Sequence, residues 1–459
     1  MIRYKQLAQK VVTDIQSNKL TDGEKMPSLR RFAHQHEVSV STAVSCYEEL
    51  VAQGWIQARP QSGFFISSKS SPIPSPVWES FVSQSTLAKR QIEKPNVNDG
   101  PLGTSRLELS ETTSKSLERS VKRVMNRTNT QLMLYPDNRG EKPLRQALAT
   151  HFSRLGYAIN SQELLISHGC LDSVKIALTV CTNPGDTIAI SSPCYNGLLD
   201  LISQLGLHII EVPSHSDGIE LDQLETLFQN AKVKAGLFCT THMNPQGITM
   251  TMAQKKRLSD LANHYQIPVI EDDVYFELSH TNQHPLPAAY YDENGYVLWC
   301  GSFSKSLSPA YRVGWCRPGR YFEAYLKHLL GVPTLIQHAL ADFIDSGSYI
   351  KHLKQARFQL SANKNRYIKY LGHRLPQGSA ITQPDGGLVL WIQIPGLNID
   401  RVRQATERNN LDIRTGDIFT ESDRYQNCIR INMGYLFNDK IESELEKLVC
   451  IVKQCCEEK

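Results

Sequence analysis

Residues 300–316, CGSFSKSLSPAYRVGWC, hold Lys305 in a run of small and hydroxyl residues, seven positions before Arg312, with no acidic residue between to pair with either. A lysine that shares its site with a second cation loses its proton near neutrality and can then attack an aldehyde. Other chemistry-bearing residues stand just after short apolar runs: Gly169-Cys170-Leu171 after LLISH, Met243-Asn244-Pro245-Gln246-Gly247 after AGLFCTTH, Glu271-Asp272-Asp273-Val274-Tyr275 after PVI, and Gly301-Ser302-Phe303-Ser304-Lys305 after VLWC. An amine, an acid, an amide and several phosphate-type donors form a set that suits a phosphorylated aldehyde cofactor. The glycine step at 169 opens a helix whose first amides can hold an anion.

The intervening sequence predicts what holds these residues at one edge. The runs ELLISHG, TIAISSP, LHIIEV, KAGLFCT, PVIEDD and YVLWCGS are short, apolar or β-branched, and separated by ten or more residues. That pattern predicts a large α/β domain, a mainly parallel sheet with helices on both sides, whose chemistry gathers at the carboxyl ends of the strands.

At 459 residues the chain is too long for one compact core, so two or three domains are expected. Hydrophobic content of 41% and charged content of 21% fit a soluble globular protein, and no apolar run reaches membrane-spanning length. The amino terminus, MIRYKQLAQKVVTDIQ, lacks the continuous apolar core of a secretion signal, which makes the cytoplasm the expected location; no membrane partner is expected. The 11 cysteines are irregularly spaced, with no C-x-x-C pair and no Cys/His ligand pattern, so buried thiols are expected and neither a metal nor disulfides. A net charge of +4 is too small to bind nucleic acid over the whole chain, so any basic footprint must be local.

Residues 68–76, SKSSPIPSP, cannot build a core and mark a linker. The expected organisation is a head over 1–69, a linker over 70–103 and a large domain over 104–459. In the head, Tyr4 to Ser17 puts Leu7, Val11, Val12 and Ile15 on one helical face, Ser28 can cap a short helix ending near His36, and Ser39 can cap a second running to about Gln53. Gly54 ends that helix, and WIQARPQSGFFI reads as two strands about a turn at Gln61-Ser62-Gly63. This is a winged helix-turn-helix. Residues 1–69 carry nine Lys and Arg against six Asp and Glu, about +3.

The head resembles the DNA-binding domain of the GntR family of bacterial regulators, through Pro27-Ser28-Leu29-Arg30, Val38-Ser39-Val40-Ser41-Thr42 and Arg59-Pro60-Gln61-Ser62-Gly63. The resemblance implies double-stranded operator DNA as a partner, contacted through Arg30, Ser28, Ser39, Ser41, Thr42, Arg59 and Gly63. Family members often carry a basic residue where this chain has Val40. Residues from about 105 onward resemble a fold-type I aminotransferase with a smaller C-terminal α+β subdomain, and the join to a GntR-like head is that of the MocR subfamily. This resemblance implies that Lys305 forms the Schiff base with pyridoxal 5'-phosphate (PLP) and that Asp272 pairs with the pyridine nitrogen as the second catalytic residue. It also implies that Asn244 and Tyr275 bond the ring's phenolic oxygen, that Tyr195 stacks on the ring, and that Gly169, Cys170, Ser302, Ser304 and Arg312 hold the phosphate. Tyr135, in LYPDNRG, would reach the phosphate of a second subunit, which makes the chain a homodimer with shared sites. Arg430, in CIRINMG, would grip an amino acid's α-carboxylate, so an amino-acid effector is compatible with the site.

Taken singly these residues decide little: a lysine in a serine-rich loop is usually a solvated charge, Tyr195 could be core, and Tyr135 or Arg430 could serve a structural bond. The ordered set carries the reading. Departures at Cys170-Leu171, Gln246 and Ser191 leave transaminase competence and substrate choice open. Three functions are weighed: a regulator that senses PLP or a PLP–amino acid adduct, a working aminotransferase with an appended head, and a DNA-binding protein whose large domain has lost PLP and only dimerises. The first is favoured.

Overall fold

The structure, a computed structural model, describes residues 3–17, 19–59, 62–67, 73–88, 100–127, 134–281 and 284–456. The head begins with helix α1 (Arg3–Gln16), which buries Ala8, Val11, Val12 and Ile15. The inward face is thus the expected one turned slightly, with Ala8 fully buried and Leu7 half-buried. Helix α2 (Leu29–Gln35) starts where Ser28 Oγ accepts from the Arg31 amide at 3.3 Å. Helix α3 (Val40–Ala52) starts where Ser39 Oγ accepts from the Thr42 amide at 3.1 Å. Each cap satisfies a first-turn donor that would otherwise lack a partner, which fixes where the two short helices begin.

Strands β1 (Ile56–Arg59) and β2 (Gly63–Ile66) pair antiparallel, with Arg59 opposite Gly63. Pro60 and Gln61 of the expected wing turn lie outside the described residues. A third extended piece joins them: the Met26 amide donates to Phe64 O at 2.8 Å and the Ile66 amide to Glu24 O at 2.8 Å. The wing is therefore tied to the segment that leads into α2.

The large domain is built on a nine-stranded sheet: β3 (Thr86–Leu87), β4 (Leu165–Ser167), β5 (Thr187–Ser192), β6 (His208–His215), β7 (Gly218–Ile219), β8 (Ala235–Phe238), β9 (Val269–Asp272), β10 (Val297–Ser302) and β11 (Gly314–Arg317). Its order is β3-β6-β5-β8-β9-β10-β11-β4, with β7 on β6. The pairs β6/β5, β5/β8, β8/β9 and β9/β10 are parallel, while β11 lies antiparallel between β10 and β4. Two reversals restore direction, so β4 points the same way as β10. All six strands read from the sequence are present, and their carboxyl ends share one edge.

The helices around the sheet are α4 (Glu111–Arg127), α5 (Lys142–Arg154), α6 (Cys170–Cys181), α7 (Asn196–Gln204), α8 (Leu221–Gln229), α9 (Met252–Tyr265), the single-turn α10 (Phe303–Ser306), α11 (Phe322–Leu326) and α12 (Thr334–Asp345). The 25-residue α13 (Ser348–Gly372) leads to a four-stranded antiparallel sheet. Its strands are β12 (Ala380–Ile381), β13 (Val389–Gln393), β14 (Arg414–Thr415) and β15 (Cys428–Asn432), in the order β12-β13-β15-β14, with α14 (Ile399–Arg408) and α15 (Asp439–Cys455) beside it. This is the smaller C-terminal α+β subdomain.

Residues 68–72 and 89–99 of the expected linker lie outside the described residues. Residues 73–88 differ from a free spacer, because they lie along the large domain. The Ile381 amide donates to Pro74 O at 2.9 Å, Gln223 Nε2 to Phe81 O at 2.9 Å, and β3 pairs with the edge of β6. A proline- and serine-rich stretch builds no core of its own, yet its backbone groups still need partners, and an open sheet edge provides them. No helix among the described residues is long and apolar enough to cross a membrane.

Candidate functional site

Strand β10 ends at Ser302, whose Oγ accepts from the Ser304 amide at 3.3 Å and so starts α10. That turn aims Lys305 across the sheet edge, where its Nζ donates to Ser105 O at 2.7 Å. The hydroxyls of Ser105 and Tyr275 lie 3.0 Å apart, so Lys305 and Tyr275 meet through one residue of the chain's own entry segment. Burial lowers the Lys305 amine to about 8; Arg430 and Arg312 lower it too, and Asp272 opposes them.

Asp272, at the end of β9, accepts from Cys170 Sγ at 3.2 Å. Burial raises its carboxyl to about 6, against the pull of the Cys170 thiol and of Lys305. The sequence reading gave Cys170 only a backbone role; its side chain is here a partner of the buried acid. Tyr275 is buried, which pushes its phenol up.

Gly169 precedes α6 with φ of +95°, a region that glycine enters freely. A Cβ there would come within 3.0 Å of Arg312 Nη2 and 3.2 Å of its Cζ. The absence of a side chain thus lets the guanidinium close over the first turn of α6, where Nη2 also donates to His168 O at 3.0 Å. Backbone amides at a helix start beside a guanidinium fork make a cradle for a phosphate-like anion. Gly314, in the unforeseen strand β11, packs against the Gly169 backbone, since a Cβ there would meet Gly169 C at 2.6 Å.

Arg430 sits on β15 opposite Trp391 of β13 and is 3% exposed. Its Nη2 donates to Gly103 O, and burial, then Arg414, lowers it to about 10. Gly103 permits this approach, because a Cβ there would lie 2.0 Å from the Asp412 carboxylate. Two buried polar atoms of the site, Asn244 Oδ1 and Arg430 Nε, have no hydrogen-bond partner among the described residues. Such atoms cost free energy when left unpaired, and a ligand bearing complementary groups would remove that cost. Tyr195, half-buried at the start of α7, lies close enough for Arg430 and Asp272 to act on its phenol, which burial raises.

The structure thus brings Lys305, Asp272, Tyr275, Tyr195, Gly169, Cys170, Arg312 and Arg430 to one edge, with Ser302 and Ser304 in the lysine's own turn and Asn244 in the buried loop after β8. Tyr135 is not among them: it is 100% exposed and gives nothing to the site of its own chain. Sequence reasoning missed Gly103 and Ser105, whose carbonyls hold the two cations. Nothing in their residue types signals it.

In the head, Arg30 and Ser41 are exposed, and Val40 at the first turn of α3 is 47% exposed. Ser39 Oγ lies 2.8 Å from both Ser41 Oγ and Thr42 Oγ1, a hydroxyl cluster at the start of the recognition helix. The Ser28 and Ser39 hydroxyls serve as caps. Gly63 is exposed at the start of β2.

Residues 96–448 match the family described as aminotransferase class I and II, and residues 3–66 match the gntR family of bacterial regulatory proteins. The chain belongs to both families. Over its whole length it is similar to two HTH-type transcriptional regulators of Escherichia coli (strain K12). YjiR is 30% identical over 98% of each chain, and YdcR is 30% identical over 99% of this chain and all of its own. With these relatives it is a regulator of the MocR type, a DNA-binding head on an aminotransferase-like body. Among solved structures, kynurenine aminotransferase of Pyrococcus horikoshii, in complex with PMP, is 24% identical over 78% of this chain and 92% of its own. Its TM-score of 0.70 shows a common fold for the large domain.

Proposed function

We propose that this transcriptional regulator holds PLP at Lys305 and adjusts its grip on operator DNA according to PLP, alone or joined to an amino acid. The observation that carries the reading is a convergence within one chain. A lysine amine lowered to about 8, a buried aspartate and a glycine–arginine anion cradle share one edge, in a chain whose head exposes the first turn of its recognition helix. PLP, when bound, supplies an aldehyde that condenses with amines and a ring that draws electrons from the attached carbon.

The chain's own residues do the rest. Lys305 offers an amine of which about a tenth is neutral at pH 7, given an ionisation near 8. Asp272 supplies negative charge opposite the ring nitrogen. Asn244 and Tyr275 offer hydrogen bonds to the ring oxygen, and Tyr195 a stacking face. The amides of Gly169 and Cys170, the hydroxyls of Ser302 and Ser304 and the Arg312 fork receive the phosphate. Arg430 takes a ligand carboxylate in place of Gly103 O. Tyr135, Leu134 and Leu330, exposed by 100%, 71% and 87%, are the surface on which a second copy would close, and the homodimer is part of this reading.

The cradle gives a direct test. Gly169→Ala should weaken PLP binding by about thirtyfold, because a Cβ meets Arg312 and a positive φ adds strain, together about 2 kcal/mol. Equilibrium titration of absorbance checks it, and wild-type affinity in the variant would remove the cradle from the account.

For DNA, Arg30→Ala should lower affinity for all sequences alike and reduce the salt slope by about one, as expected for a lost phosphate contact. Anisotropy over a range of salt concentrations measures this. PLP affinity should stay unchanged; equal losses of both would contradict the separation of the two sites.

A working aminotransferase is the second reading, favoured by Arg430, whose buried guanidinium is suited to an amino-acid carboxylate. Steady turnover of an amino acid with a 2-oxo acid, dependent on Lys305, would establish it.

A further inference from the structure

Lys305 is followed by Ser306, which is fully buried and held at both its side chain and its backbone. Its Oγ lies 2.7 Å from the Tyr349 hydroxyl, which in turn donates to Glu277 Oε2 at 2.7 Å, so Ser306 donates and Tyr349 relays. The other oxygen of Glu277 is 2.6 Å from His151 Nε2. The Ser306 carbonyl accepts from His352 Nε2 at 2.7 Å, and Thr113 Oγ1 lies 3.2 Å from His352 Nδ1. Tyr349 and His352, three residues apart on one face of α13, therefore clamp the residue next to the lysine.

The same helix reaches the head. Arg357 Nε donates to Glu277 O at 2.8 Å, which ties the middle of α13 to the network. One residue further, the Phe358 ring meets Phe64 of the wing edge-on, with centroids 6.3 Å apart. Ala362 packs on the head's core, and Asn365 Nδ2 donates at 2.5 Å to Val51 O, in the last turn of the recognition helix. From Tyr349 to Asn365 the helix advances about 24 Å at 1.5 Å per residue. A cavity of about 340 Å³ lined by Val51, Gln57, Asn365, Lys369 and His373 runs along this junction, which leaves room for a shift.

We propose that α13 couples the two sites: Tyr349 and His352 are positioning residues that set Lys305 through Ser306, and Phe358, Ala362 and Asn365 carry the setting of the helix to the recognition helix and wing. This rests on the reading that Lys305 holds PLP. When Lys305 gives up its bond to Ser105 O, α10 moves, and the two clamps on Ser306 pass the displacement to α13 as a rigid body. A packed helix answers such a push by a small shear. By reciprocity, a head fixed on DNA must bias the lysine site by the same factor.

The test uses full-length protein, PLP and a duplex selected from random DNA with that protein, with anisotropy measured with and without PLP. Wild type should show a PLP-dependent change of about 5- to 150-fold, the usual range of such coupling. Asn365→Ala, remote from the lysine, should keep the cofactor absorbance and its pH midpoint yet reduce the change to under about twofold. Tyr349→Phe, which keeps the ring and loses only the hydroxyl, should keep the DNA affinity of PLP-free protein, move the pH midpoint of the absorbance, and also lose the change. A change that survives in either variant overturns the inference alone. A wild-type affinity indifferent to PLP overturns the regulatory reading, and the inference with it.

Discussion

A Lys305→Ala protein folds, yet fails to retain PLP through gel filtration and shows none of the yellow absorbance of the wild type. The Lys305 amine is the group of the site that condenses with an aldehyde to an imine, and the remaining phosphate and ring contacts exchange freely. Folding survives because the wild-type site already strains to bury this amine: burial and Arg430 hold it near 8, so its removal takes away a desolvated cation. Without PLP, thermal unfolding of the variant should match or exceed that of wild type. With PLP at about a hundred times its dissociation constant, wild type should gain about 2.7 kcal/mol that the variant lacks. The rate of covalent capture by wild type has a defined pH dependence. A lowered lysine is neutral above about 8 and protonated below it, so the rate should rise with pH and level off past 8. A rate still climbing at pH 10 would mean an ordinary solvated lysine.

Asp272→Ala should cost about 150- to 5,000-fold in PLP affinity. The carboxylate is 7% exposed, and the cation it would face on the ring would lose its partner in a buried site, a loss of about 3 to 5 kcal/mol. Burial raises the acid to about 6, so in PLP-free protein it is charged above that value and protonated below it. Wild-type affinity should therefore fall as pH drops through about 6, and Asp272→Asn should lack that limb. Titrations of absorbance at pH 5, 6 and 7 check both. Equal affinity in Asp272→Ala and wild type would place the aspartate outside the site.

What the sequence made legible was what local chemistry decides. Ser28 and Ser39 announced the starts of α2 and α3, because a side-chain cap acts within three residues. Six apolar runs announced six strands, and with them the edge at which Asp272, Asn244 and Lys305 stand. Strand β11 was not legible: GWCR is short and lies after a turn, and only pairing with β10 and β4 makes it a strand. Nor were the two carbonyls over the site. Ser105 and Lys305 are 200 positions apart, and Gly103 and Arg430 are 327 apart. A backbone oxygen carries no residue signature, so only the folded chain shows which carbonyl a cation meets. The same holds for α13, whose residue types signal neither contact. That its first turn holds the lysine's neighbour and its later turns hold the head is a property of the tertiary arrangement. The Cys170 thiol is a smaller case, since a cysteine after a glycine step reads as core until Asp272 is seen beside it.

PLP at Lys305 is proposed to change how the head holds DNA. The most direct measurement is fluorescence anisotropy of full-length protein on a labelled operator duplex, titrated with and without PLP, with Lys305→Ala in parallel. Wild type should show a PLP-dependent change in affinity or salt slope, and the variant none. Equal affinity with and without PLP in wild type, or the same change in Lys305→Ala, would contradict it.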